Sequence, residues 1–397
     1  MDLRKALTVR PLEKYDGIRP PSFKVYRDTP NGILVPRFFE GSPKSVTSMG
    51  HPAPELKFVG QLRSYQKEAL NAFKGNGILC LGCGRGKTSC AIAIAARYKR
   101  RTLVIVHKEV LANQWADRIN QFCPGVKVGR IQGDVWDTEA PFVVAMIQTL
   151  CVREFPRESF DQFGLVIVDE AHHIGAPAFS QVMLLMKPEY TLGLSATPER
   201  KDGLTKILYW FLGPIFYSSQ EKVEGEIIIH KIDFICREIP TLNRAGKICM
   251  ASNITRLTEM PERNKLIIEN IKDAQKRGRK ILVLSDRRAH CEFLAEALEN
   301  CILSMGGSVD PPALKNGANT LISTFGLARE GLDIPELDTL VIATPISDVV
   351  QALGRITRGP GTKEVYDVVD HWCVFESMWY KRNATYKGPK EKKCLFT

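Results

Sequence analysis

No stretch of this 397-residue chain approaches the roughly 18 consecutive apolar residues of a membrane-spanning helix. The first residues, Met1-Asp2-Leu3-Arg4-Lys5, lack the apolar run of a secretory signal. The 11 cysteines are scattered without framework spacing, which argues against a disulfide scaffold and for reduced thiols. A soluble protein of the cytoplasm or nucleus is therefore expected. Charge imbalance is also scarce along most of the chain, because the net +11 sits mainly at the ends. Residues 1–60 carry ten Lys/Arg against six Asp/Glu, residues 381–397 carry six against one, and the stretch between is close to neutral. Basic flanks suit contact with a phosphate backbone and suit a solubilising tail equally well.

The length allows two or three domains, each with its own core. Residues 1–60 hold eight of the 23 prolines and no sustained helical period, so they read as an accessory preface of short strands such as Gly32–Val35. From Leu62 apolar runs alternate with helical patterns. Strands are expected at 78–81, 102–106, 126–131, 142–147, 165–168 and 191–194, with helices at 87–98 and 108–122. Continuous apolar strands separated by helices imply a parallel sheet covered on both faces. Residues 214–260, with one strand candidate at 226–232, read as an inter-domain connection. A second α/β series follows, with helices at 263–275, 288–299 and after Asp348. Its strands are expected at 280–284, 320–323, 339–343 and 364–369. The expected domains are thus 61–213 and 261–380, each α/β with a parallel sheet, followed by a basic tail at 381–397.

Three strings carry chemistry. Leu81-Gly82-Cys83-Gly84-Arg85-Gly86-Lys87-Thr88 follows an apolar strand and opens a helix. Glycines let backbone amides approach phosphate, and a helix N-terminus favours anions. Lys87 is placed to reach the β/γ-phosphates and Thr88 a magnesium ion. Leu81 stands where the strict loop pattern wants glycine. Leu165-Val166-Ile167-Val168-Asp169-Glu170-Ala171-His172 is a strand ending in two acids. Asp169 suits magnesium, and Glu170 suits orientation or deprotonation of an attacking water. Far downstream, Gln351-Ala352-Leu353-Gly354-Arg355-Ile356-Thr357-Arg358 puts two arginines one helical turn apart on one face. A phosphate loop alone says only that a nucleotide binds. A distant arginine pair suggests a second domain that reaches it.

This ordered set resembles the superfamily 2 helicases and translocases of DExH type. The closer likeness is to the branch containing XPB, phage UvsW and helicases of large DNA viruses. It covers about residues 61–385 and implies two RecA-like domains in tandem, ATP and Mg2+ as cofactors, and nucleic acid as partner, with DNA favoured over RNA. Leu62-Arg63-Ser64-Tyr65-Gln66 looks like the family's adenine-reading element, with Gln66 as the reader. Cys83, Gly84, Arg85, Gly86, Lys87 and Thr88 then line the phosphates. Val104-Ile105-Val106-His107 and Leu111-Ala112-Asn113-Gln114-Trp115 look like motif Ia and its following helix, and Gln148-Thr149 like a nucleic-acid contact. The resemblance assigns coupling to His172, Ser195, Thr197 and Gln351, and a backbone contact to Thr324. It places Gly331 and Asp333 near the γ-phosphate and ribose. Arg355 and Arg358 become arginine fingers, a type of group that contributes roughly 10³–10⁵ in rate. A role in a transcription, replication or repair assembly is also implied.

Two departures weaken strand separation relative to translocation. Lys201 replaces the acid of an R-E-D loop, and the segment 301–322 is shorter than in the family. Rival classes remain: a small-molecule kinase or nucleotide switch leaves Arg355 and Arg358 unexplained, and an inactive scaffold would have a broken Lys87, Asp169 or Glu170. Cys80 and Cys83 form a C-x-x-C, but no second pair follows at zinc-ligand spacing. His172 and His173 are adjacent and face apart, which disfavours a shared metal. Trp115 reads as a core residue packing its helix rather than a stacking platform. Lys272–Arg279 read as a solvated helix face and loop. Lys381, Arg382, Lys387, Lys390, Lys392 and Lys393 read as a disordered tail or a phosphate grip. Trp372, Trp379 and Tyr380 are expected to pack on the second domain.

Overall fold

The computed structural model describes residues 2–12, 20–30, 32–42, 46–82, 84–172, 177–196, 199–200, 202–219, 226–244, 246–305, 314, 317–326, 334, 336–357 and 361–387. The chain divides into two compact units, Met1–Gln220 and Glu221–Thr397.

The first unit begins with helix α1 (Leu3–Ala6) and two antiparallel ribbons. The ribbons pair β1 (Thr8–Val9) with β2 (Phe23–Lys24) and β3 (Arg27–Thr29) with β4 (Gly32–Leu34). The α/β series follows as α2 (Ser64–Ala72), β5 (Asn76–Leu81), α3 (Lys87–Tyr98), β6 (Thr102–Val106), α4 (Glu109–Phe122), β7 (Val128–Gln132) and β8 (Val135–Trp136). It continues through β9 (Phe142–Met146), α5 (Ile147–Val152), β10 (Leu165–Val168), α6 (Pro177–Met183), β11 (Tyr190–Ser195), α7 (Thr205–Leu212) and β12 (Ile215–Ser219). These strands form an eight-stranded sheet in the order β12-β5-β11-β10-β6-β9-β7-β8. All its pairings are parallel except the edge hairpin β7–β8.

The physical cause is legible in the central strands. β6, β9 and β10 are buried at every position. Successive side chains feed opposite faces: Leu103, Ile105, Val166 and Val168 enter one apolar cluster, and Val104, Val106, Leu165 and Ile167 the other. Both faces therefore need cover, which α3 and α4 supply on one side and α6 and α7 on the other. α3 is buried at every position from Cys90 to Ala96.

The preface is bound into this unit by backbone hydrogen bonds. Leu12 N donates to Asp202 O, Phe38 N to Trp210 O, Ser48 N to Lys187 O and His51 N to Gln162 O. The Gln181 side-chain amide donates to Lys24 O and Tyr26 O. Arg37 donates to Pro188 O and Glu189 O at 3.0 and 2.9 Å.

The second unit contains β13 (Ile227–Ile235), α8 (Met250–Glu259), α9 (Pro261–Lys276), β14 (Ile281–Ser285), α10 (Arg288–Ala297), β15 (Cys301–Ser304), β16 (Thr320–Thr324), β17 (Thr339–Ile342), α11 (Val350–Ile356), β18 (Lys363–His371) and α12 (Phe375–Tyr386). Its sheet has six strands in the order β13-β18-β17-β14-β16-β15, all parallel. Residues 214–260 are richer in structure than a connection: β12 joins the first sheet, β13 the second, and α8 packs Ile254 and Leu257 with Trp372 and Phe375.

Three expectations need correcting here. The 381–397 stretch is not uniformly tail, because α12 continues to Tyr386 and Arg382 is buried against Asp367. Tyr380 is 63% exposed rather than packed, whereas Trp372 is buried and donates to Glu238 O at 2.7 Å. In the stretch read as a solvated helix face and loop, Lys272, Lys276 and Arg277 are exposed as expected, but Arg279 is half-buried and both arginines are tied to the sheet. Arg277 forms a two-pronged pair with Glu364 at 2.8 and 2.9 Å, and Arg279 donates to Thr339 Oγ1 at 2.8 Å. Arg277 and the Tyr366 hydroxyl hold the Glu364 carboxyl down at about 2 against the opposing effect of burial.

Candidate ATP-hydrolysis site

Parallel strands bring their carboxyl ends to one edge, where ligands bind in open α/β sheets. Here that edge carries Leu81 of β5, Ser195 of β11, Val168 of β10, Val106 of β6 and Met146 of β9, on five adjacent strands. The phosphate loop, the acidic pair, the Ser195 turn, His107 and Gln148-Thr149 all leave from these ends. Residues spread from Leu81 to Ser195 are thus gathered along one edge by the topology.

The loop turns sharply because Gly84 and Gly86 both adopt φ +74°. Gly86 is the N-cap of α3, so Lys87 and Thr88 open the helix where amides point outward. Lys87 Nζ donates to Leu81 O at 3.2 Å and bridges the base of the loop. Gln66 braces it from outside: Arg63 N donates to Gln66 Oε1 at 2.8 Å, and Gln66 Nε2 donates to Arg85 O at 3.1 Å. The Tyr65 hydroxyl reaches the same carbonyl at 3.2 Å. A Cβ on Gly86 would lie 2.3 Å from Gln66 Nε2, so a side chain there would push the Gln66 amide out of its present place. The loop-bracing role of Gln66 was not visible in the sequence.

At the end of β10, Asp169 N donates to Ile105 O, continuing the strand register one residue further. The Asp169 carboxylate is held at both oxygens. Trp115 Nε1 donates to Oδ2 at 2.9 Å and Glu170 N to Oδ1 at 3.0 Å. Glu170 adopts φ +47°, a left-handed conformation that a non-glycine residue rarely takes. Its Oε2 lies 3.5 Å from His172 Nδ1, so both acids and the histidine form one cluster.

Ser195 is fully buried and pairs in register with Cys80. Burial and the nearby Glu199 push the Cys80 thiol up to about 11, which keeps it protonated at neutral pH. Gln148 is exposed, its Nε2 donating to His107 O at 2.7 Å, and Thr149 Oγ1 accepts from Gly133 N at 3.0 Å. Nearby, Arg200 and Asp202 form an ion pair within their own loop, and Asp202 Oδ1 also accepts from Leu204 N.

Within the second unit, Thr324 ends β16 in register with Ser285, and Gln351 and Arg355 lie four residues apart on α11. Both are half-buried. Cys83, Thr197, Lys201, Gly331, Asp333 and Arg358 lie outside the described residues. Two residues were undervalued from sequence: Trp115, whose packing role was foreseen but not its bond to Asp169, and Gln66 as a brace. The indole N–H was the available signal, since a buried donor requires an acceptor.

The architecture has counterparts among known proteins. The helicase domain of Pyrococcus furiosus Hef aligns with 81% of this chain and 98% of its own, with a TM-score of 0.54 and 16% identity, a likeness of fold. A family model described as the res subunit of type III restriction enzymes matches residues 60–200. The L396 protein of Acanthamoeba polyphaga mimivirus, which carries the name of an ATP-dependent RNA helicase, is 32% identical over 427 aligned positions. That alignment spans 100% of this chain and 81% of the relative. The chain belongs to the superfamily 2 helicases. It is an ATP-hydrolysing helicase or translocase with two RecA-like units. A further relative of this helicase is a Sulfurisphaera tokodaii protein named as the DNA 3'-5' translocase XPB2, 36% identical over 45% of the chain and 40% of the relative. No helix among the described residues is long and apolar enough to cross a membrane.

Proposed function

We propose that this helicase couples ATP hydrolysis to stepwise movement along nucleic acid, DNA in preference to RNA or an RNA–DNA hybrid, with translocation favoured over wedge-driven strand separation. The observation that carries the reading is the joint fixing of Asp169 and Glu170 at one strand end, on the same sheet edge as Lys87 and Thr88.

Residues 61–213 and 261–380 act as the two motor lobes, with residues 1–60 as an accessory layer on the first. Gly84, Arg85, Gly86 and Lys87 cradle the phosphates, with Cys83 on the same loop, and Gln66 links that cradle to adenine recognition. The donor set fits a hard divalent cation: each Asp169 oxygen accepts one hydrogen bond and keeps a second lone pair, and Thr88 adds a hydroxyl. Thr88 and Asp169 are the residues that hold Mg2+, which when bound neutralises charge on the phosphates. Glu170 orients and deprotonates the attacking water. Arg355 and Arg358 stabilise the departing γ-phosphoryl, beside Gly331 and Asp333. His172, Ser195, Thr197 and Gln351 relay nucleotide state. Gln148, Thr149 and Thr324 contact the nucleic-acid backbone, so little base preference is expected.

The relatives carry names of both RNA and DNA enzymes. The helix bearing Trp115 and the loop holding Arg200 and Asp202 incline the reading to DNA. Arg200 is engaged by Asp202 within that loop, which supports translocation over a strand-splitting wedge. ATP turnover without nucleic acid, then with single-stranded DNA, duplex DNA and RNA, tests the reading. Stimulation greatest with DNA is expected, lost in Lys87→Ala, Glu170→Gln and Arg358→Ala. Turnover indifferent to all three polymers would overturn it, and full stimulated turnover in Arg358→Ala would remove the arginine-finger role.

A further inference from the structure

Trp115 lies on α4, in the interior of the first unit, at 1% exposure. Its ring packs in the apolar cluster with Ala112, Ile119, Val104 and Val106. Packing alone would be served by any large apolar side chain. The indole adds one donor, and at this depth a donor without an acceptor is costly. Its acceptor is Asp169 Oδ2 at 2.9 Å, 54 residues away in sequence.

The arrangement at Asp169 is more specific than a satisfied tryptophan. The backbone is set by Asp169 N on Ile105 O, a bond that leaves the carboxylate free to rotate. Glu170 N holds Oδ1, but this is a bond within the same turn and moves with it. Among the described residues, Trp115 supplies the bond to the carboxylate that comes from another element, and it comes from a rigid ring wedged in the core. It therefore fixes the direction in which the remaining lone pairs of Asp169 point.

We propose that Trp115 is a positioning residue: its indole N–H orients the Asp169 carboxylate for the divalent cation that accompanies the nucleotide. This inference rests on the reading of Asp169 as the residue that holds that cation. It also gives α4, which follows the His107 turn contacted by Gln148, a direct mechanical hold on the hydrolytic site. A shift of α4 would turn the carboxylate.

Binding of a fluorescent ADP, N-methylanthraniloyl-ADP, to the full chain is titrated with Mg2+ to give the midpoint of the cation-dependent enhancement. Trp115→Phe keeps an aromatic ring and removes the donor. Replacement of Trp115 by 3-benzothienylalanine keeps the whole ring shape and puts sulfur in place of N–H, so folding is preserved if the phenylalanine variant fails. Both are expected to move the Mg2+ midpoint upward roughly tenfold, the scale seen when a residue supporting a metal ligand is lost, with binding in EDTA unchanged. Asp169→Asn is expected to abolish the Mg2+ enhancement, and adding Trp115→Phe to it should change nothing further. An unchanged midpoint in the benzothienyl variant, with Asp169→Asn still abolishing the enhancement, overturns the positioning role alone. A normal enhancement in Asp169→Asn overturns the reading of Asp169 beneath it.

Discussion

Arg382 and Asp367 meet fork to fork inside the second unit, with Nε to Oδ2 at 2.8 Å, a terminal nitrogen to Oδ1 at 2.7 Å, and exposures of 1% and 0%. The Tyr386 hydroxyl donates to Asp367 Oδ2 at 2.7 Å, and Arg382 also donates to Ile346 O. Helix α12 is thereby clamped to β18. A second buried pair, Arg263 with Asp370, does the same for α9.

Removing one partner of such a pair strands the other charge in the interior. Arg382→Ala is expected to destabilise the protein by about 3–5 kcal/mol, measured as a loss of urea midpoint. The double variant Arg382→Met/Asp367→Leu should recover much of this, since no charge is left buried. Lys381→Ala, on the exposed side of the same helix, should stay within about 0.5 kcal/mol of the parent. Equal losses at 381 and 382 would refute the clamp.

His290 makes the second unit sensitive to mild acid. Its Nε2 faces Asn264 Oδ1 and its Nδ1 the Ser285 hydroxyl, both at 3.0 Å. Asn264 Nδ2 donates to Thr258 O, so Asn264 Oδ1 is the acceptor and the imidazole proton sits on Nε2. Burial, with Arg263 nearby, holds the imidazole far below its ordinary value, at about 3. The unfolded chain therefore binds a proton between about pH 6.5 and 3 that the folded chain does not, and stability falls as pH drops through that window. The slope approaches 1.4 kcal/mol per pH unit. Between pH 7 and 5 the parent should lose on the order of 2 kcal/mol. His290→Gln should lose less, and an identical pH slope in the two proteins would exclude His290 as the cause. Glu364, lowered from 4.5 to about 2, contributes stability that is full above its ordinary value and is lost as pH falls from 4.5 towards 2, below the pH 7 to 5 interval compared for His290.

Gly86→Ala should disable the phosphate loop for two independent reasons. The residue needs φ +74°, and the added methyl would come within 2.3 Å of Gln66 Nε2 and 2.8 Å of Ser89 Oγ. Binding of a non-hydrolysable ATP analogue, followed by calorimetry, should weaken at least tenfold, which corresponds to about 1.4 kcal/mol. Gln66→Ala in the same chain should not restore binding, because it relieves only one of the two contacts, leaves the backbone strain and removes the brace on Arg85 O. Complete restoration would show that φ at this position is unimportant.

What was legible in the sequence was set by burial on both faces. Thr102–Val106 and Leu165–Val168 match their predicted limits because uninterrupted β-branched and leucine runs have no other stable place than a covered parallel sheet. Lys87–Tyr98 matches because a left-handed glycine starts it. The elements that escaped are partly exposed or short: Ile215–Ser219, with a half-polar end, Cys301–Ser304 at the sheet edge, and Met250–Glu259, whose buried face includes Asn253 and Thr258. The site followed the same rule. Lys87, Asp169 and Glu170 announce themselves by type and spacing. The contacts of Trp115 and Gln66 with the site, and the buried pairing of Arg382, depend on partners that only the tertiary fold supplies.

Glu170 combines a strained backbone with a defined partner, and this separates binding from chemistry. Its φ of +47° turns the side chain away from the strand direction, and His172 Nδ1 meets its carboxylate at 3.5 Å. Such conformations cost of order 1–3 kcal/mol and persist where the surroundings enforce them. Here the enforcement comes from Glu170 N on Asp169 Oδ1, a bond that glutamine at position 170 would keep. Glu170→Gln is therefore expected to preserve shape, the Asp169 geometry and nucleotide binding, but to remove the group proposed to take a proton from water. Stimulated turnover should fall by roughly 10²–10⁴, while the affinity for an ATP analogue changes less than about threefold, half a log unit near 0.7 kcal/mol. His172→Ala should leave affinity similarly intact and lower the stimulation by nucleic acid more than the basal rate, because it touches the acid and not the phosphate loop. Single-turnover hydrolysis beside equilibrium binding distinguishes the two variants, and a matched loss of binding and turnover in Glu170→Gln would return that residue to a structural role.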